Sequence, residues 1–168
     1  WTRSVDRTLN RSLSSVTRDR LTLVKVARWD PDKRWGTAVD ATVEIKRLGL
    51  RPLFLARGGR GQYEREVAGR AERQGLRTAF VEHHGDEVTT LVTAIRAEVD
   101  ADMLFIRDYL YEEQRRALFR TANAVLANSG TEPFGLVGLE TMAVGGVAFV
   151  GSTGEDYATP GYDAISLQ

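Results

Sequence analysis

Two hydrophobic rhythms take turns along this chain. Leu21 to Ala27 is a β-rich alternating run and predicts a strand. Lys33 to Leu48 then places Ala38, Ala41, Ile45 and Leu48 on one face, with Gly49 as the stop, and predicts a helix. The same exchange recurs to the end of the chain. Strands are expected at Pro52 to Ala56, Thr78 to Glu82, Met103 to Ile106, Ala124 to Ala127 and Val147 to Val150. Helices are expected at Tyr63 to Gln74, Glu87 to Val99, Glu112 to Ala122 and Phe134 to Val144. Parallel strands need crossovers, and short helices supply them. Continuous apolar strands such as Leu53-Phe54-Leu55 fit a sheet covered on both faces. The expected class is α/β, a Rossmann-like doubly wound parallel sheet with helices on both faces.

The flanks are less regular. Residues 1–20 are rich in Arg, Ser and Thr; Val5, Leu9 and Leu13 stand at four-residue spacing, so this part reads as an N-terminal arm or a short helix, with 21–168 as the domain. Ala164 to Leu167 begins what reads as another strand, and the chain opens at Trp1 without methionine, so a piece of a longer protein is expected.

Composition narrows the chemistry. The 168 residues are 42% hydrophobic and 27% charged, which describes a globular chain with a real core. The net charge of zero argues against a general nucleic-acid binder. The absence of cysteine excludes disulfides, thiolate catalysis and zinc–sulfur sites. The apolar runs are too short to span a bilayer and there is no signal-peptide pattern, so a cytoplasmic location is expected.

In a sheet of this class ligands gather at the strand-to-helix loops. Arg28-Trp29-Asp30-Pro31-Asp32-Lys33 sets two cations five residues apart at a strand end, as a diphosphate requires; an ion pair of Arg28 with Asp30 or Asp32 is the plainer reading. Gly58-Gly59-Arg60-Gly61 lacks the third glycine of a dinucleotide fingerprint, since Glu64 holds that position. Gly58 and Gly59 are read instead as a sharp turn or a close approach of backbone to ligand. His83 and His84 are read as exposed loop histidines pointing apart, with no metal site. Tyr109 and Tyr111 either stack on a base or cover the sheet end.

Residues 128–143 are the richest stretch. Glu132 and Glu140 stand eight positions apart across a loop and a helix start. Pro133 suits a first helical turn, and the amides of Phe134, Gly135, Leu136 and Val137 are expected to face a ligand with the positive end of the helix dipole behind them. Glu140 lies in a mostly apolar helix and needs a partner, which a ribose diol could provide. A carboxylate for a sugar, amides for a phosphate and two cations for the rest of a pyrophosphate are compatible with one ligand, a nucleoside diphosphate sugar.

The run from Ser129 to Gly146 resembles the Glu-x7-Glu motif of the C-terminal, donor-binding domain of family 4 retaining glycosyltransferases, which have the GT-B fold. Val26 to Lys33 resembles the phosphate segment of that family, and Tyr111 to Ser129 the helix and strand leading into its motif. The resemblance implies a donor site in which Arg28 and Lys33 hold the diphosphate and Glu132 binds sugar hydroxyls, these three forming the catalytic set. Phe134, Gly135, Leu136 and Val137 would offer amides and Glu140 would bind the ribose. Asp108, Tyr109 and Leu110 would lie near the base, and Gly58 and Gly59 along the donor. It implies no bound metal or cofactor. It also implies a partner, the N-terminal acceptor domain of the same protein, which this sequence does not contain; peripheral membrane association is left open through that part. Three departures stand out: Lys33-Arg34 replaces a Lys-Gly pair, Glu140-Thr141-Met142 replaces Glu-Ala-Met, and Arg77 to Asp102 holds an extra strand and helix. A non-catalytic interaction module and a glycan or disaccharide phosphorylase on the same fold are the competing readings.

Overall fold

The computed structural model describes residues 13–130 and 134–151, together with the backbone of Ile165–Ser166. Each short apolar run becomes a parallel strand: β1 (Leu21–Val26), β2 (Pro52–Arg57), β3 (Thr78–Val81), β4 (Met103–Ile106), β5 (Ala124–Ala127), β6 (Ala148–Val150) and β7 (Ile165–Ser166). The connecting helices are α1 (Trp35–Arg47), α2 (Gln62–Arg73), α3 (Val88–Ala97), α4 (Glu112–Thr121) and α5 (Leu136–Ala143). The order across the sheet is β3-β4-β2-β1-β5-β6-β7, every described pairing being parallel. The expected doubly wound sheet is therefore the observed one.

Alternation along the strands sorts their side chains between two cores. Leu23, Phe54, Ala56, Met103, Phe105 and Leu126 pack against α1 and α2, with Trp35 fully buried among them. Val24, Leu53, Leu55, Leu104, Ile106 and Val125 pack on the other face, against α3 and α4. Leu13 joins this second core at 1% exposure, from a helical turn at 13–17. Burying one such leucine contributes roughly 1.5–3 kcal/mol toward holding the turn against the sheet. The rest of the stretch from Val5 lies outside the described residues.

The strand order explains the extra segment. Without β3, the order β4-β2-β1-β5-β6-β7 is that of a doubly wound nucleotide-binding sheet. β3 and α3 are added at the outer edge, beyond β4. The chain winds from β1 through β2 to that edge, then returns to lay β5 on the other side of β1. The direction of winding reverses between β1 and β5. In sheets of this class the loops at the carboxyl ends of the strands that flank such a reversal border a crevice where ligands bind.

Candidate functional site

Two loops form the lips of that crevice, and both were singled out from sequence. The first runs from the end of β1 into α1. Asp30 caps a single 3-10 turn, Pro31–Lys33, by accepting from the Asp32 N–H at 2.9 Å. This fixes where Lys33 leaves the chain, while Trp35 Nε1 donates to the Arg28 carbonyl at 3.0 Å and fixes the start of the loop. Arg28 is exposed. Asp30 spends its carboxylate on the cap and Asp32 stands 4.0 Å from Lys33. Neither forms an ion pair with Arg28.

The second lip follows β5. Gly130 N–H donates to the Asp32 carbonyl at 2.8 Å, so the two lips touch. A Cβ at Gly130 would stand 2.7 Å from Asp32 Oδ1, which makes glycine the residue that allows this approach. Below it, Lys25 is buried in β1 at 1% exposure. Its Nζ donates to Asn128 Oδ1 at 2.6 Å and to the Leu126 carbonyl at 3.1 Å, and lies 5.4 Å from the Trp35 ring centroid. The ammonium thereby ties the central strand to the root of the second loop.

Glu132 lies outside the described residues, as does Pro133. The helix after them starts later than expected. Gly135 is left-handed at φ 63° and ψ 54°, and α5 begins at Leu136 rather than Phe134. A left-handed residue cannot continue a right-handed helix, so Phe134 and Gly135 are loop. The helical amides at this end are those of Leu136, Val137 and Gly138, the last donating to the Gly135 carbonyl at 3.0 Å. Glu140, on the second turn of α5, is held by Arg115 of α4, Nε to Oε2 at 2.9 Å and Nη2 to Oε1 at 3.3 Å.

The loop after β4 closes the far side. Arg57, at the end of β2, donates through Nε to the Asp108 carbonyl at 3.3 Å and lies 5.6 Å from the Tyr109 ring centroid. Burial holds this guanidinium below the ordinary arginine value; Tyr109 opposes the shift and the nearby positive charge of Arg115 adds to it. Tyr109 and Tyr111 meet edge to face at 5.2 Å, both exposed, while Leu110 is buried in the core beneath them. Arg107 grips Glu64 of α2 with two 3.3 Å contacts and stacks on Phe80 at 3.9 Å.

The two glycines have separate jobs. A Cβ at Gly58 would stand 2.6 Å from the Trp29 indole, so the close approach there is made by a side chain of the protein itself. Gly59 has φ 85°, as a sharp turn requires, and its carbonyl accepts from Trp29 Nε1 at 2.6 Å. The histidines differ from expectation. His84 is exposed, but His83 is 5% exposed because it faces inward where β3 meets its loop. Its N–H donates to Asp108 Oδ2 at 2.6 Å, and Gln114 Nε2 lies 3.4 Å from its Nδ1. Burial lowers its pKa, and Asp108 opposes that. Among the described residues, no group of three or more His, Asp or Glu side chains could hold a metal ion. Nor is any helix among them long and apolar enough to cross a membrane.

The structure links Arg28, Lys33, Gly58, Gly59, Asp108 and Tyr109 into one rim by contacts between successive loops, while Glu140 is held apart from it by Arg115 of α4. Sequence reasoning gave no role to Trp29 and Arg57, which join that rim, nor to Arg115, which holds Glu140. Arg57 left a trace, being the charged end of the apolar run Leu53-Phe54-Leu55-Ala56. Arg115 left none, since its partner is 25 residues away on another helix.

No protein-family model and no curated protein matches the chain. Solved structures do match it in fold. A UDP-forming α,α-trehalose-phosphate synthase from Burkholderia xenovorans superposes with a TM-score of 0.69 at 16% identity, over 98% of this chain and 38% of that one. The C-terminal domain of a glycosyl transferase group 1 family protein, LpcC, from Francisella tularensis gives 0.63 at 15% identity, over 88% and 67%. A sucrose-phosphate synthase from Thermosynechococcus elongatus gives 0.51 at 22% identity, over 86% and 31%. The fold is thus that of a GT-B C-terminal domain, and the chain spans little more than a third of the trehalose-phosphate synthase it matches.

Proposed function

We propose that this chain is the donor-binding domain of a family 4 retaining glycosyltransferase that takes a nucleoside diphosphate sugar. The observation that carries the reading is the Gly130–Asp32 contact at the reversal of the sheet. It brings the loop of Arg28 and Lys33 against the loop that leads into the Glu-x7-Glu stretch. In this reading the two features, compatible in sequence, serve one crevice. The fold neighbours include a UDP-forming synthase, which agrees with a nucleotide-sugar donor here.

In the proposed reaction the bond from the anomeric carbon to the diphosphate breaks, and negative charge grows on the leaving group. Arg28 and Lys33 stabilise that charge, helped by the positive end of α5, as a preorganised electrostatic environment. Glu132 binds sugar hydroxyls. Glu140, oriented by Arg115, accepts from the ribose. The loop at Asp108 and Tyr109 meets the base, with Leu110 anchoring it in the core. The acceptor domain completes the site from another part of the protein. The site calls on no metal, and the enzyme acts in the cytoplasm.

Calorimetry with UDP, GDP, ADP and TDP tests the donor site directly. Lys33→Ala and Glu140→Ala are each expected to weaken binding of the preferred nucleotide by ~1.5–3 kcal/mol, the range for hydrogen bonds to charged groups. Unchanged affinity in both variants sinks the assignment of these residues. No saturable binding by the wild-type chain favours a non-catalytic module instead.

A further inference from the structure

Arg34 is the one residue other than glycine, among those described, that adopts a left-handed backbone, with φ 51° and ψ 43°. There the Cβ of an L residue crowds the neighbouring carbonyl, a conflict glycine does not have. The local structure demands this conformation. Arg34 N–H closes the 3-10 turn on the Pro31 carbonyl at 3.0 Å, and the same residue starts α1. An arginine is thus kept where glycine would relax the chain. Strain held at a site of this kind points to what the side chain does.

The side chain reaches across the crevice. A Cβ on Gly130 would lie 3.6 Å from Arg34 Nε, so the guanidinium stem rests against the opposite lip, beside the contact between the two loops. Among the described residues, no hydrogen bond or ion pair engages this guanidinium. Among the described residues, the carboxylate at the same spot is Asp32, whose Oδ1 faces Gly130 and whose Oδ2 stands 4.0 Å from Lys33. Arg34 therefore brings a forked cation to the mouth of the crevice, next to Lys33 and a turn away from Arg28. A guanidinium can place two parallel N–H groups on one phosphate.

We infer that Arg34 is a third diphosphate-binding cation, kept at the cost of backbone strain. The inference rests on the donor-site reading above. It predicts that stability and affinity move in opposite directions. Arg34→Gly removes both strain and charge, so its melting temperature rises by ~2–4 °C for a chain of this size while nucleoside diphosphate binding weakens roughly three- to tenfold. Arg34→Ala loses the charge but keeps the strain, so it weakens binding equally without the rise in melting. The loss is larger for a nucleoside diphosphate than for the matching monophosphate. Titrations use UDP, GDP, ADP and TDP with the 168-residue chain. An Arg34→Gly variant that binds as tightly as wild type overturns the inference and leaves the donor site standing. A lower melting temperature for Arg34→Gly also overturns it, by making Arg34 a structural residue. If wild type binds none of the four nucleotides, both readings fall together.

Discussion

Lys25 shows how one residue can set the shape of a site without lining it. A buried ammonium needs hydrogen-bond acceptors, and it finds them in Leu126 and Asn128, across the gap between β1 and β5. Lys25→Met keeps the volume of the stem but strands Asn128 Oδ1, so a loss of roughly 1–3 kcal/mol is expected in denaturant melts. A loss below the error of the melt would show that Asn128 repairs its bonding. Gly58 poses the opposite case. Its cost on substitution is steric, because Trp29 occupies the space a methyl would take. Gly58→Ala is expected to destabilise by ~1–3 kcal/mol through overpacking, since the Ala27 carbonyl also lies 2.8 Å from the added Cβ and cannot swing aside as the indole can; a denaturant melt unchanged from wild type would show that the loop backbone gives way. At this scale the sequence was legible where a residue's place follows from local pattern, as with Arg28 and Lys33 in the loop after β1. It was silent where the partner lies far away in the chain, as with Arg115 and Glu140.

Among the elements, α5 and the β3–α3 unit carry the lessons. Pro133, suited to a first helical turn, suggested that α5 began at Phe134. Gly135 shortens it by turning left-handed, and that shifts which amides belong to its first turn. The edge unit hides a titrating group. His83 is buried and its pKa lies below the ordinary value, so the folded chain prefers it neutral. The unfolded chain binds that proton more readily. This contribution to stability is complete above the ordinary histidine value and is lost as pH falls from about 6.5. Melts of wild type and His83→Gln between pH 7.5 and about 5 check this: the wild type should lose more stability on acidification. Equal slopes would mean that Asp108 cancels the effect of burial.

For the molecule as a whole, stability and function meet at the central strands. β1, β2 and β4 are buried along nearly all their length, whereas three of the four residues of β3 are partly or fully exposed. Amide exchange is expected to be slowest in the central three and faster in β3, because edge units open locally at lower cost. Equal protection of β3 and β4 would show that the added unit folds as one with the rest. A nucleotide bound at 100 times its dissociation constant should add ~2.7 kcal/mol to stability. That gain should appear as a raised melting temperature with the preferred nucleotide of the four.

The sequence by itself determined the alternation of strands and helices, the two-faced core and the loops able to carry phosphate chemistry. These are local properties: side-chain period, glycine stops and the charge at strand ends act within a few residues. The tertiary structure alone decided the strand order, and with it which loops share the crevice. It placed Asp32 against Gly130 and Arg115 against Glu140, and it left Arg34 strained at the mouth. Such pairings depend on where the winding reverses between β1 and β5. No periodicity encodes that reversal, because it is settled by how the helices pack on the two faces of the finished sheet.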